Sequence, residues 1–136
     1  MNSSKIFSEL GEGIYIDESS NKIYWVDINN NMLFVATPLT VNSYKLDTQA
    51  SAVLFVDNNI IHLASSDGIV SFDVEKCSKS LLAKTPDFYA SESYRSNDGV
   101  MISDSIYIYG VMDKSLDKTG AIVVSKNKQS HVVDET

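Results

Sequence analysis

Cysteine is almost missing from this chain: its 136 residues contain one, Cys77. A single thiol cannot close an internal disulfide, so the sequence does not advertise an oxidising compartment. A nucleophilic Cys77 would want a histidine beside it, and neither His62 nor His131 is near in sequence. Basic residues are also few, 11 against 18 acidic ones, for a net charge of −7. That balance repels phosphate backbones, and no stripe of Lys or Arg offsets it, so nucleic-acid binding is not expected. Anionic membrane surfaces are disfavoured for the same reason. No apolar run approaches the ~18 residues of a membrane helix, and residues 1–9 lack the apolar core of a signal peptide. A soluble, cytoplasmic protein with no membrane contact is the expectation. Helical periodicity is missing as well: no long window places apolar residues at i, i+3, i+4 and i+7 with charges between them.

Ordinary globular composition remains, with 43% hydrophobic and 21% charged residues, which excludes wholesale disorder. The length suits one domain, residues 1–136. Short apolar or alternating runs recur, bounded by Asn, Asp, Gly and Ser, and read as strands joined by turns. They cover 14–16, 22–28, 32–36, 41–46, 51–56, 60–64, 69–72, 80–83, 100–102, 106–111, 121–124 and 131–133. The stretch after Pro86 is a longer connection, and 114–120 is a loop.

Three of these runs look like one element repeated. Asn-Lys-Ile-Tyr-Trp-Val begins at 21, Asn-Ile-Ile-His-Leu-Ala at 59 and Asp-Ser-Ile-Tyr-Ile-Tyr at 104. A period near 40 built only of strands predicts an all-β fold of propeller blades, about three antiparallel four-stranded sheets. An immunoglobulin-like sandwich is the rival arrangement. Three blades cannot close a ring, so each end exposes an apolar sheet face, and a longer parent or self-association is expected.

Two polar outliers interrupt the strands. One is Gly11-Glu12-Gly13 and the other is Tyr94-Arg95-Ser96-Asn97-Asp98-Gly99-Val100, a junction between strands. Asn-Asp-Gly is also a plain turn signal, and Glu12 reads equally as a solvated turn carboxylate. Trp25, Tyr24 and Phe34 fit blade packing, His62 a satisfied core position, and Asp27 a structural acceptor at a strand end. Asp98 fits a turn cap beside Asn97.

The run Leu10-Gly11-Glu12-Gly13, then Asp17-Glu18, then Asn21-Lys22-Ile23-Tyr24-Trp25-Val26-Asp27-Ile28, resembles the opening of the senescence marker protein, gluconolactonase and regucalcin family. Arg95-Ser96-Asn97-Asp98-Gly99 is similar to that family's Arg-x-Asn-Asp-Gly, and Tyr109-Gly110-Val111-Met112 and Gly120-Ala121 follow in order. Ile14 stands where the family has Pro, and Ile16 where it often has Trp. The resemblance implies a six-bladed parent propeller of which this chain is the N-terminal half. It implies hydrolysis of a small sugar lactone with one divalent metal ion (Ca, Zn, Mg or Mn). By that resemblance Glu12 is a metal ligand, and Arg95 and Asn97 are substrate-binding. The family's other ligands, an Asn and an Asp that is also the candidate general base, lie in later blades. The chain is therefore expected to be truncated and inactive alone, with a non-catalytic β-sheet interaction module as the alternative.

Overall fold

Twelve strands and one short 3-10 turn make up the computed structural model, which describes residues 6–135. β1 (Gly11–Asp17), β2 (Lys22–Asp27), β3 (Met32–Ala36) and β4 (Val41–Lys45) form the first sheet. β5 (Ala50–Asp57), β6 (Ile60–Ser65), β7 (Gly68–Asp73) and β8 (Ser78–Lys84) form the second. β9 (Tyr94–Ser103), β10 (Ile106–Asp113), β11 (Ala121–Lys126) and β12 (Gln129–Glu135) form the third. Each sheet is an antiparallel meander in chain order. The three repeated sequence runs are β2, β6 and β10, the second strand of each sheet. No helix among the described residues is long and apolar enough to cross a membrane.

The hairpins turn where residues tolerate left-handed backbone angles. Asn21, Asn31, Asn58 and Asn127 all take positive φ there, as asparagine does more readily than most residues. Cys77 and Ser105 occupy the same region in their own turns, and Cys77 is exposed. Carboxylates at strand ends tie these turns down. Asp17 accepts hydrogen bonds from the backbone N–H and hydroxyl groups of Ser19 and Ser20. Asp73 accepts from the N–H groups of Glu75 and Lys76. Asp113 takes the hydroxyl of Ser115 and the N–H groups of Asp117 and Lys118, fixing the loop that follows β10.

The sheets stack face to face through two cores. Side-chain alternation on β2 sends Tyr24 and Val26 into the first core, where Leu33, Val53, Ile61 and Leu63 meet them. The opposite face of the second sheet, through Ala52, Ala64, Ile69 and Ala83, packs on Tyr107, Tyr109, Val111 and Val123 of the third. Small residues on one side make room for tyrosine rings on the other, which is how close packing is reached without voids. His62 is half-buried in this second seam, its Nδ1 2.7 Å from the Tyr107 hydroxyl. Three stacked meanders of this kind are propeller blades, not a two-sheet sandwich.

Among the described residues, no sheet covers two of the faces. On the first sheet, Ile16, Ile23, Ala36 and Val41 lie in one cross-strand row on the side away from the core. Trp25 and Phe34 stack beside them, ring centroids 5.1 Å apart, and the indole N–H donates to Ser8 Oγ. On the third sheet, Val100, Ile108, Val124 and His131 form the corresponding outward row.

Both polar outliers lie within strands, which corrects the expectation of a turn at Gly11–Gly13 and of a junction at residues 94–100. Each is part of an innermost strand with a register shift: β1 between Glu12 and Tyr15, and β9 where Asp98 is left without a partner between Asn97 and Gly99. β5 shifts register in its middle too, between Val53 and Phe55. The extra residue of a bulge re-aims the side chains around it. At such a point Asn-Asp-Gly serves the bulge and not a chain reversal. Asp98 accordingly accepts the N–H of Gly99 at 2.8 Å within the strand and does not cap a turn.

Candidate functional site

β1, β5 and β9 are the first strands of their sheets, and they touch one another along one line. The close approach is sterically fixed. Gly13 has φ +62°, and a Cβ on it would lie 2.3 Å from Ala52 Cα. Gly99 would place a Cβ 3.0 Å from Leu54 Cδ2. Glycine at these places lets three backbones converge.

The convergence gathers Glu12 from β1, Ser51 from β5, and Arg95, Ser96 and Asn97 from β9. Ser51 Oγ is buried, 2.7 Å from Ser96 Oγ and 3.2 Å from the Asn97 carbonyl oxygen. That contact locks the second sheet to the third at the backbone of the Arg95–Asn97 segment. Arg95 and Asn97, two apart on one strand, project to the same side. Arg95 Nη1 donates to the Ser96 carbonyl at 2.9 Å and to Asn97 Oδ1 at 3.4 Å. Partial burial draws the Arg95 pKa down, and the carboxylate of Glu12 is near enough to oppose that. Glu12 and Arg95 are 83 residues apart, so only the stacking of three sheets brings the two charges together. Glu12 and Asn97 are exposed.

Asp27 holds the segment that leads into this cluster. Its carboxylate, 1% exposed, accepts the N–H groups of Glu9 at 2.9 Å and Leu10 at 3.2 Å and the side-chain amide of Asn30 at 2.9 Å. Burial alone would raise its pKa; the Asn30 amide and these backbone donors outweigh it and hold the carboxyl below its ordinary value. The structural-acceptor reading of Asp27 fits this geometry. Ser51 and Ser96 escaped sequence reasoning, because a serine in an apolar strand carries no signal until its cross-sheet partner is known.

A cavity of about 460 Å³ lies elsewhere, in the seam between the second and third sheets, lined by Ile60, His62, Leu82 and Tyr107 among others. Neither Glu12 nor Arg95 borders it. Among the described residues no group of three or more His, Cys, Asp or Glu side chains could hold a metal ion. Hard divalent cations take six or more oxygen ligands. Glu12 has the right chemistry for one of them, but these three blades do not complete a set.

Stacked four-stranded meanders with their first strands meeting on one line define a run of β-propeller blades, with a polar cluster where those strands meet. The model of the SMP-30/gluconolactonase/LRE-like region matches residues 10–136, and the chain belongs to that family. Among solved structures it is similar to regucalcin of Agrobacterium tumefaciens, described as a calcium-binding protein, at 22% identity and a TM-score of 0.84, covering 94% of this chain and 44% of the other. A luciferin-regenerating enzyme aligns at 16% identity and a TM-score of 0.78, covering 92% and 45%. A europium-containing methanol dehydrogenase aligns more loosely, at 13% identity and a TM-score of 0.58, over 98% of this chain and 26% of that one. At these identities the likeness is one of fold. The chain thus spans less than half the length of the solved structures it matches. Among curated proteins, none matches it.

Proposed function

We propose that these blades carry the substrate-holding part of a gluconolactonase-like site, in a cytoplasmic hydrolase of small sugar lactones. The observation that supports it is the approach of β1 to β9, which brings Glu12 within electrostatic reach of Arg95, itself hydrogen-bonded to Asn97. The guanidinium fork of Arg95 would hold hydroxyl or carbonyl oxygens of a lactone by two parallel donors. The Asn97 amide, already oriented by Arg95, would add one donor and one acceptor. Glu12 would lend one oxygen to a divalent cation, which when bound supplies Lewis-acid polarisation of an ester carbonyl. One carboxylate does not hold a catalytic ion, so the remaining ligands and the general base must come from outside these three blades. Membership in the family supports the reaction class, and the free, exposed Cys77 is compatible with a reducing compartment.

Two measurements test this. The purified 136-residue chain should hydrolyse no gluconolactone in the presence of Mg²⁺, Mn²⁺, Zn²⁺ or Ca²⁺, and clear turnover would refute the incomplete-site account. Titration calorimetry with Ca²⁺ or Mn²⁺ should show only weak binding that disappears in Glu12→Gln. Binding unchanged by that substitution would point instead to a non-catalytic interaction module.

A further inference from the structure

The seam cavity between the second and third sheets has no part in the Glu12–Arg95 cluster, and its size follows from the residues that line it. The first seam supplies the comparison. On the first sheet Tyr24 pairs with Val35, and Leu33 with Tyr44. The same places on the second sheet, counted from the hairpin ends Asp17–Lys22 and Asp57–Ile60, hold His62 opposite Ser71 and Ile69 opposite Ala83. Histidine stands in place of tyrosine, serine in place of valine and alanine in place of tyrosine, each smaller than its counterpart. The first seam keeps a space of about 260 Å³ beside Tyr24 and Tyr44, and the second keeps about 460 Å³. Packed interiors leave few voids larger than a water molecule, and an apolar cavity of ~150 Å³ already takes benzene. Both walls of this space are sheets of this chain, so it does not depend on what packs against the outer faces.

The lining is mainly apolar, and its less exposed polar groups, His62, Ser71 and Tyr107, carry no fixed charge. His62 Nδ1 is taken by the Tyr107 hydroxyl at 2.7 Å, and the Phe55 ring meets the imidazole at 61°. Burial favours the neutral ring. Whichever tautomer the pair adopts, Nε2 stays open, as a donor in one and an acceptor in the other. A ligand hydroxyl both donates and accepts, so it meets either. Full charges sit at the exposed rim: Lys128 in the turn after β11, and Asp57 and Asp104, whose carboxylates act on His62 and Tyr107. A carboxylate entering the seam would shed water beside two acidic residues, a cost that one solvated ammonium group does not offset. We propose that this seam is a binding site for a small uncharged aromatic compound of roughly two fused rings carrying one hydroxyl, its rings against Leu82 and Tyr107 and its hydroxyl on His62 Nε2.

Proton–carbon NMR of the histidine rings reads the outcome on the 136-residue chain at pH 7, with 2-naphthol as the probe. The chain has two histidines, and His131 lies in the outward row of the third sheet beside Val124. Binding in the seam should shift the His62 resonance to saturation and leave His131 unmoved. 2-Naphthoate should bind about tenfold more weakly or worse, and Lys128→Ala should leave the affinity for 2-naphthol within about twofold. Ser71→Leu and Leu82→Trp fill the space from two different strands. Each should weaken 2-naphthol binding by about tenfold or more with circular dichroism unchanged, and if one of them unfolds the other still carries the test. No shift at His62, or a shift at His131 alone, overturns the proposal, the latter being adsorption to the bare face. Undiminished binding in a folded Ser71→Leu or Leu82→Trp protein overturns it too. So does 2-naphthoate binding as tightly as 2-naphthol and weakening in Lys128→Ala, which would make the seam an anion site.

Discussion

Gly13→Ala probes the convergence on which the candidate cluster depends. Gly13 sits beside Glu12 with φ +62°, and a Cβ there would lie 2.3 Å from Ala52 Cα, 2.7 Å from the Ser51 carbonyl oxygen and 3.0 Å from Ala52 Cβ. An L-residue in the left-handed region costs about 1–2 kcal/mol before any contact is considered. The clash adds to this, because two of the three atoms are backbone and cannot rotate away. Relief requires β1 to move off β5 by about 1 Å, which loosens the packing around the buried Ala50 and Ala52 and costs about 1–3 kcal/mol more. The sum, about 2–5 kcal/mol, is a large part of the 5–15 kcal/mol typical of a domain. With a urea m-value of about 2 kcal/mol/M, the midpoint should fall by roughly 1–2.5 M. Trp25, the single tryptophan, reports unfolding by fluorescence. Gly110→Ala is the control: its Cβ would meet only Asn97 Cβ at 3.6 Å, at an ordinary backbone angle, and its midpoint should shift by less than about 0.5 kcal/mol equivalent. A Gly13→Ala protein within 1 kcal/mol of the parent would refute a sterically fixed meeting of β1 and β5.

Asp27→Asn should cost about 1.5–3 kcal/mol at pH 7, since the buried carboxylate accepts from three residues and charge-assisted bonds are the strong ones. The parent's Asp27 pKa is held below its ordinary value, so its contribution is complete above the unfolded pKa and is lost as pH falls through the folded one; denaturant melts from pH 6 to pH 3 should show a shallower decline in the variant. His62 is pushed below its ordinary pKa of 6.5 by burial, against a smaller opposing effect of Asp57, so the fold prefers it neutral. That preference is fully present above pH 6.5 and is lost on acidification through the lowered folded value. His62→Gln should therefore be less sensitive than the parent to a shift from pH 7 to pH 5. Ser51→Ala removes the hydroxyl between the second and third sheets and should cost about 1 kcal/mol, with amide exchange faster at Ser96 and Asn97; unchanged exchange there would deny Ser51 its anchoring part.

Much of the architecture was legible because its signals are local. Alternation in Lys-Ile-Tyr-Trp-Val-Asp, Asn-rich turns and the threefold return of β2, β6 and β10 each lie within a few residues. Hairpin pairing between sequence neighbours then leaves little freedom in sheet order. The innermost strands were harder. Gly11–Gly13 and Asn97–Gly99 read as turns because Gly, Asn and Asp suit turns and bulges alike, and the choice between them is made by a neighbouring strand that the local sequence does not reveal. Arg95 and Asn97 could be named from their motif, whereas Ser51, buried 45 residues from the Ser96 it meets, could not.

The order of residues by itself determined that this chain is all strands, in three repeats, with a polar motif at the head of the first and of the third, since these follow from side-chain periodicity and turn chemistry. Only the tertiary structure decided that those two motifs lie side by side. Stacking of three sheets, with glycine where the backbones nearly touch, is what carries Glu12 to Arg95. The same stacking left two apolar faces outward, because a face is covered or bare according to what packs on it and not according to its own residues.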